Sequence, residues 1–129
     1  MTKRSLTLVA ILLACLVAWA GAFAATHLPA PGVLGWWMVE QLLHLAGYFL
    51  LSVLFWLTLR AYGRDWQARL VWVFLIMAAY ASFDELTQRV FGRWGDWGVW
   101  NANLLGTTLA FIICELAARF TRKRADLLE

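Results

Sequence analysis

The residues able to do chemistry fall into three short groups. The first is Glu40, Gln41, His44 and Tyr48, the second Asp84, Glu85 and Gln88 with Arg93 and Asp96 beyond, and the third Asn101 and Asn103. Glu40, His44 and Tyr48 are spaced i, i+4, i+8, so a helix carries them near one face. Asp84 and Gln88 share a face in the same way, and Glu85 stands four residues before Arg89. His44 with Asp84 or Glu85 beside it has the makings of a general acid or base. Arg93 is suited to holding a phosphate or carboxylate through two parallel hydrogen bonds. Neither a nucleophile nor a cofactor-binding motif is evident. A lone imidazole with two carboxylates is a poor metal ligand set, so no metal is expected. Cys15 and Cys114 lie inside apolar runs, have no metal or disulfide spacing, and are expected to pack.

The elements that must position these groups are apolar. Of 129 residues, 63% are hydrophobic and 16% aromatic, with nine Trp. Mean hydropathy is +0.68. Ordinary globular chains run at about 45–50% apolar, and a water-soluble chain this short could not hide the excess. Four continuous apolar runs cover about 5–25, 41–61, 70–90 and 99–120. Each is about 20 residues, or about 30 Å of helix, the thickness of a bilayer's hydrocarbon core. The runs do not alternate, and four strands could not close a barrel in lipid. The linkers between them carry Pro29, Pro31, Gly32 and Gly35, then Tyr62-Gly63-Arg64-Asp65, then Gly92, Gly95 and Gly98. The expected fold is therefore all-α, a single membrane domain built as a four-helix transmembrane bundle.

Charge gives this bundle a direction. The net charge is +3, but the basic residues sit between apolar runs and do not form a nucleic-acid-binding surface. Lys3, Arg4, Arg60, Arg64, Arg69, Arg119, Arg122, Lys123 and Arg124 fall on one side, and Arg89 and Arg93 on the other. Cytoplasmic loops are enriched in Lys and Arg, so both termini are expected in the cytoplasm. Trp36, Trp37, Trp94, Trp97 and Trp100 fit an outer aromatic belt, with Trp66 and Trp72 on the inner side. The N-terminus resembles a signal peptide, with Ala22-Phe23-Ala24 as a cleavage-like site and Leu12-Leu13-Ala14-Cys15 as a lipobox-like one. The apolar run continues well past Cys15 and is long enough to span, so an uncleaved first helix is expected.

With this topology the polar groups of spans two, three and four come to similar depth at the outer end. Ionisable groups within spans are costly, which makes each a functional hypothesis. The structural alternative is that they cap helices or join them, with Asp84 or Glu85 paired to Arg89 or Arg93, Asn103 bridging helices, and Glu115 paired to Arg119. Close packing is expected along Ala14, Ala18 and Ala22 and along Gly106, Ala110, Cys114 and Ala118, where small residues recur every four positions. Either stripe could serve a homo-oligomer.

Three blocks resemble the VanZ-like family of small bacterial integral membrane proteins, over roughly residues 40–118. Glu40-Gln41-Leu42-Leu43-His44-Leu45-Ala46-Gly47-Tyr48 is similar to the family's acidic-x-x-x-His-x-x-x-Tyr block. Asp84-Glu85-Leu86-Thr87-Gln88, followed by Gly92-Arg93, is similar to its Asp-Glu-x-x-Gln and Gly-Arg block. Asn103-Leu104-Leu105-Gly106 is similar to its Ala-Asn-x-x-Gly block. The family often has an Asp four residues before that Asn, where this chain has Val99 and the nearest carboxylate is Asp96. Glu40 stands where the family has Asp. The resemblance implies a multi-pass protein of the bacterial inner membrane, in a family linked to glycopeptide resistance, and does not supply a biochemical activity.

The expectation that follows is a protein that binds or modulates an anionic envelope lipid or a lipid-linked glycan in an outer-leaflet pocket. Glu40, His44, Tyr48, Asp84, Glu85, Gln88, Arg93, Asp96 and Asn103 would line it. One alternative is an intramembrane enzyme acting on such a lipid, with His44 as base and Asp84 or Glu85 orienting it. Another is a small structural subunit of a larger membrane complex. Membrane lipids are the expected partners and nucleic acid is not one.

Overall fold

The computed structural model describes residues 3–27, 36–90 and 97–127. Arg93, Asp96, Trp94 and the prolines of the first linker lie outside the described residues, as do the side chains of Lys3, Arg4, Ala22, Trp36 and Trp37. The described chain is all-helical: α1 is Lys3–His27, α2 Trp36–Ala61, α3 Trp66–Val90 and α4 Trp97–Asp126. The helices run a few residues past the apolar runs at most ends, because Trp and charged residues at a lipid–water boundary continue a helix as readily as Leu. Three of them are long and apolar enough to cross a membrane: Met38–Ala61, Trp66–Val90 and Trp97–Arg124. In α1 the corresponding apolar stretch is the shorter Leu6–Gly21.

The connection from α2 to α3 falls where Tyr62-Gly63-Arg64-Asp65 was expected to break the chain. The Arg64 N–H donates to the Leu59 carbonyl at 3.0 Å and the Gly63 N–H to that of Arg60 at 2.9 Å. Gly63 has φ +75°, the left-handed conformation that closes a helix this way and that glycine adopts at least cost. Asp65 then starts α3, its Oδ1 accepting the Ala68 N–H at 2.7 Å, as an N-cap does. So short a turn obliges α2 and α3 to run antiparallel.

The polarity of the assembly is inverted relative to a water-soluble protein. Buried positions include His44, Ser52, Arg69, Asp84, Gln88, Asn103, Thr107 and Glu115, whereas Leu42 is 61% exposed and Leu86 62%. On α3 the buried face runs Arg69, Val73, Met77, Ala81, Asp84, Gln88, one residue per turn and polar at both ends. Between those ends Tyr48, Leu51, Trp56, Val73, Met77, Ala81 and Phe111 form the apolar core. Water would penalise such an exterior, whereas lipid accepts it and rewards the buried polar contacts.

The most extensive helix contact joins α2 and α4. Gly106 makes it possible, because a Cβ there would collide with the Leu45 carbonyl oxygen and stand 3.1 Å from the Phe49 nitrogen. Buried Ala110 and Ala118 continue the expected small-residue stripe. The stripe expected on α1 fares differently, since Ala14 is exposed. The partly buried face of α1 is Leu8, Ile11, Cys15, Ala18 and Trp19 among the described side chains. The Cys15 thiol meets the Thr58 hydroxyl at 3.6 Å.

Gly106→Ala should therefore force α2 and α4 apart, at about 2 kcal/mol or more of overpacking. Gly47→Ala, where a Cβ meets nothing within 4 Å, should be neutral. Thermal unfolding of the two variants in detergent checks the contrast, and equal melting temperatures would show that the close approach carries no energy.

Candidate functional site

The close approach of α2 and α4 sets their polar residues in register. His44 Nδ1 lies 3.1 Å from Asn103 Oδ1, and two turns along, Ser52 Oγ donates to Thr107 Oγ1 at 3.1 Å. An amide oxygen only accepts, so the Nδ1 of His44 carries the proton. With Nδ1 donating, a neutral ring would keep its lone pair on Nε2, the position from which an imidazole accepts a hydrogen bond or a proton.

Helix α3 supplies the third wall. Asp84 is 1% exposed and its Oδ2 accepts from Gln88 Nε2 at 3.2 Å, so the face expected for this pair is the one observed. The Asp84 carboxylate is near enough to His44, Tyr48 and Tyr80 to interact with each electrostatically. Glu85 interacts with Tyr48 in the same way. The rings form a continuous row: His44 and Tyr48 stack with centroids 6.5 Å apart, Tyr48 and Tyr80 lie at 5.6 Å, and Trp19 of α1 reaches Tyr80 at 4.2 Å. Within this cluster Tyr48 Oη, Tyr80 Oη and Asn103 Nδ2 are buried with no hydrogen-bond partner among the described residues. Each is a donor, and an unsatisfied buried donor costs about 1–3 kcal/mol.

His44, Tyr48, Asp84, Gln88 and Asn103 are thus brought together as expected, with Glu85 half-buried beside them. Glu40 is half-buried one turn before His44. Arg93 and Asp96 lie outside the described residues. Asn101 is exposed and Val99 is buried, so an apolar side chain fills the position one turn before Asn103. Arg89 is exposed, where a solvated guanidinium gains little from a carboxylate four residues away. Tyr80, Ser52 and Thr107 are members that the sequence reading missed. Each sits four or eight residues from a named member on the same face, which is the signal that could have found them.

A second polar centre lies at the other end of the same three helices. Glu115 was expected to pair with Arg119, four residues on. It is held instead by Arg69 of α3, with Nε to Oε1 at 2.7 Å and Nη2 to Oε2 at 3.0 Å. The Trp56 indole donates to the same Oε1 at 2.8 Å. Burial decides between the partners: Arg69 is 5% exposed and its planar fork fits both carboxylate oxygens, whereas Arg119 is exposed. The third nitrogen of Arg69 donates to the Arg64 carbonyl. Between His44 and Trp56 on α2 lie about 18 Å of helix, so the centres are separate.

Comparison with protein-family models, with curated proteins and with solved structures gave no match.

Removing one partner of the Arg69–Glu115 pair should strand the other charge. Arg69→Ala should cost about 3–5 kcal/mol and lower the melting temperature in detergent sharply. The double variant Arg69→Met/Glu115→Leu should recover much of the loss. A double variant as unstable as the single one would mean that the pair contributes through packing and not through charge.

Proposed function

We propose that this chain is a multi-pass protein of the bacterial inner membrane, with α1 as a fourth span and both termini in the cytoplasm, and that its outer polar cluster holds the head group of an anionic envelope lipid or lipid-linked glycan. The observation that carries the reading is the set of buried donors with no partner among the described residues, Tyr48 Oη, Tyr80 Oη and Asn103 Nδ2, grouped around His44 and Asp84. Donors on three convergent side chains suit an oxygen-rich group, either a phosphate or sugar hydroxyls. The exposed apolar helix faces would pass directly to the lipid's tail. The topology rests on the basic residues at the ends of α2 and α4, and α1 spans if its apolar stretch extends beyond Leu6–Gly21. Membership of the VanZ-like family belongs to the same proposal and rests on the three sequence blocks, and any link to glycopeptide resistance would come through that family.

A second reading is favoured by the His44–Asn103 contact. Asn103 orients the imidazole and leaves Nε2 free of its proton, as a positioned base requires. In this reading the protein acts chemically on the lipid it binds, with His44 accepting a proton and Asp84 stabilising the imidazolium. It requires turnover of a polyprenyl or phospholipid substrate by purified protein, abolished in His44→Ala.

Tyr48→Phe and Tyr80→Phe separate binding from folding, because each removes a donor and keeps the ring. Melting temperatures should be unchanged or slightly raised, since an unsatisfied hydroxyl is lost. Endogenous lipid retained through purification, measured by mass spectrometry, should fall roughly fivefold per hydroxyl, the equivalent of about 1 kcal/mol per hydrogen bond. Unchanged lipid in both variants would leave the cluster as interhelical glue.

A further inference from the structure

The inner polar centre carries a surplus of positive charge among the described residues. Glu115 is the carboxylate buried where the ends of α2 and α4 meet, and both of its oxygens are taken by Arg69. Arg60 at the end of α2 and Arg119 on α4 flank that pair: Arg60 interacts electrostatically with Cys114, and Arg119 with Glu115 itself. Both arginines are exposed, and among the described residues the one ion pair is Arg69 with Glu115. Arg60 is also held in place. Its guanidinium lies 5.2 Å from the centroid of the Trp56 ring, Arg69 lies at the same distance from that ring, and the indole is fixed by its hydrogen bond to Glu115. A cation over a tryptophan face loses part of its freedom before any ligand arrives.

We propose that Arg60 and Arg119 form a binding site for the phosphate of an anionic phospholipid in the leaflet at this end of the molecule. The occupant is a lipid and not free phosphate, because the surface one turn deeper is apolar on both helices. Leu57 is 38% exposed and Leu116 48%, each three residues from its arginine and on the same side of its helix. Arg122, Lys123 and Arg124, all exposed on the continuation of α4, raise the local potential that attracts such a head group. The Arg69–Glu115–Trp56 assembly is then the positioning scaffold of the site, and its neutrality leaves the outer two guanidinium groups available. This site rests on the chain spanning a membrane, and it is independent of what the outer cluster binds.

The test uses the full chain in detergent, offered phosphatidylglycerol, phosphatidylcholine or inorganic phosphate, with retained lipid read by native mass spectrometry and stability by thermal unfolding. Phosphatidylglycerol should be retained severalfold over phosphatidylcholine and should raise the melting temperature, with the preference shrinking as salt is added. Arg60→Gln/Arg119→Gln should lose about fivefold of that retention per cation removed, and Arg89→Gln, at the other end, should lose none. Should the double variant fail to fold, the salt dependence in the wild type and the single Arg119→Gln variant carry the same prediction. Equal retention of the two lipids by wild type, undiminished retention in the variants, or full stabilisation by inorganic phosphate would overturn the site.

Discussion

The near-contact of α2 and α4 at Gly106 is the constraint on which the rest of the structure depends. With no room for a Cβ, the Leu45 carbonyl fixes the distance and register of the two backbones. Register then propagates along both helices at four-residue spacing. His44 meets Asn103, Ser52 meets Thr107, and Trp56 meets Glu115. A slip of one residue would separate all three pairs and turn hydrogen-bonding groups toward lipid, where each unsatisfied group costs several kcal/mol. The packing of a residue with no side chain therefore decides where the chemically active ones sit.

The three polar pairs and the glycine cooperate for a reason particular to an apolar solvent. Leu against Leu gains little when the alternative is Leu against an acyl chain, so association falls to close van der Waals contact and to hydrogen bonds made between helices. Helix α3 joins the α2–α4 pair through Arg69 at one end and Asp84 at the other, and through Val73, Met77 and Ala81 between them. On helix α1 the Cys15 thiol meets the Thr58 hydroxyl of α2. The helix lies against α2 and α3 largely through Ala18 and Trp19.

Periodicity and polarity made a good part of this legible in advance. The four helices, the turn at Gly63, the Gly106 stripe and the convergence of His44, Tyr48, Asp84, Gln88 and Asn103 follow from apolar run length and from i, i+4 spacing. What failed was the choice of partner for Glu115. Spacing alone offers Arg119, because local pairs are all that spacing can propose. The actual partner of Glu115 is 46 residues distant and was counted only as a topology marker, since a basic residue near a helix end reads as interfacial until something buried requires it. Tyr80 was passed over for a related reason, since an aromatic residue in a membrane helix reads as packing until its hydroxyl is found buried.

The two polar centres are built from similar residue types yet differ in completeness, and the difference distinguishes their roles. Around Glu115 both carboxylate oxygens are engaged, the indole N–H has its acceptor, and the guanidinium has bonds to spare for a backbone carbonyl. Such an arrangement stabilises its own fold and has no remaining capacity for a ligand inside it. Around His44 the imidazole and one side of the Asn103 amide are engaged, while two phenol hydroxyls and the other side of that amide are not. A cluster serving only to join helices would be expected to close its own hydrogen bonds, since leaving three donors buried and unmet costs more than substituting Phe, Phe and an apolar residue in their place. The Arg69–Glu115 centre is thus closed on itself, whereas the His44 cluster keeps three buried donors unmet among the described residues.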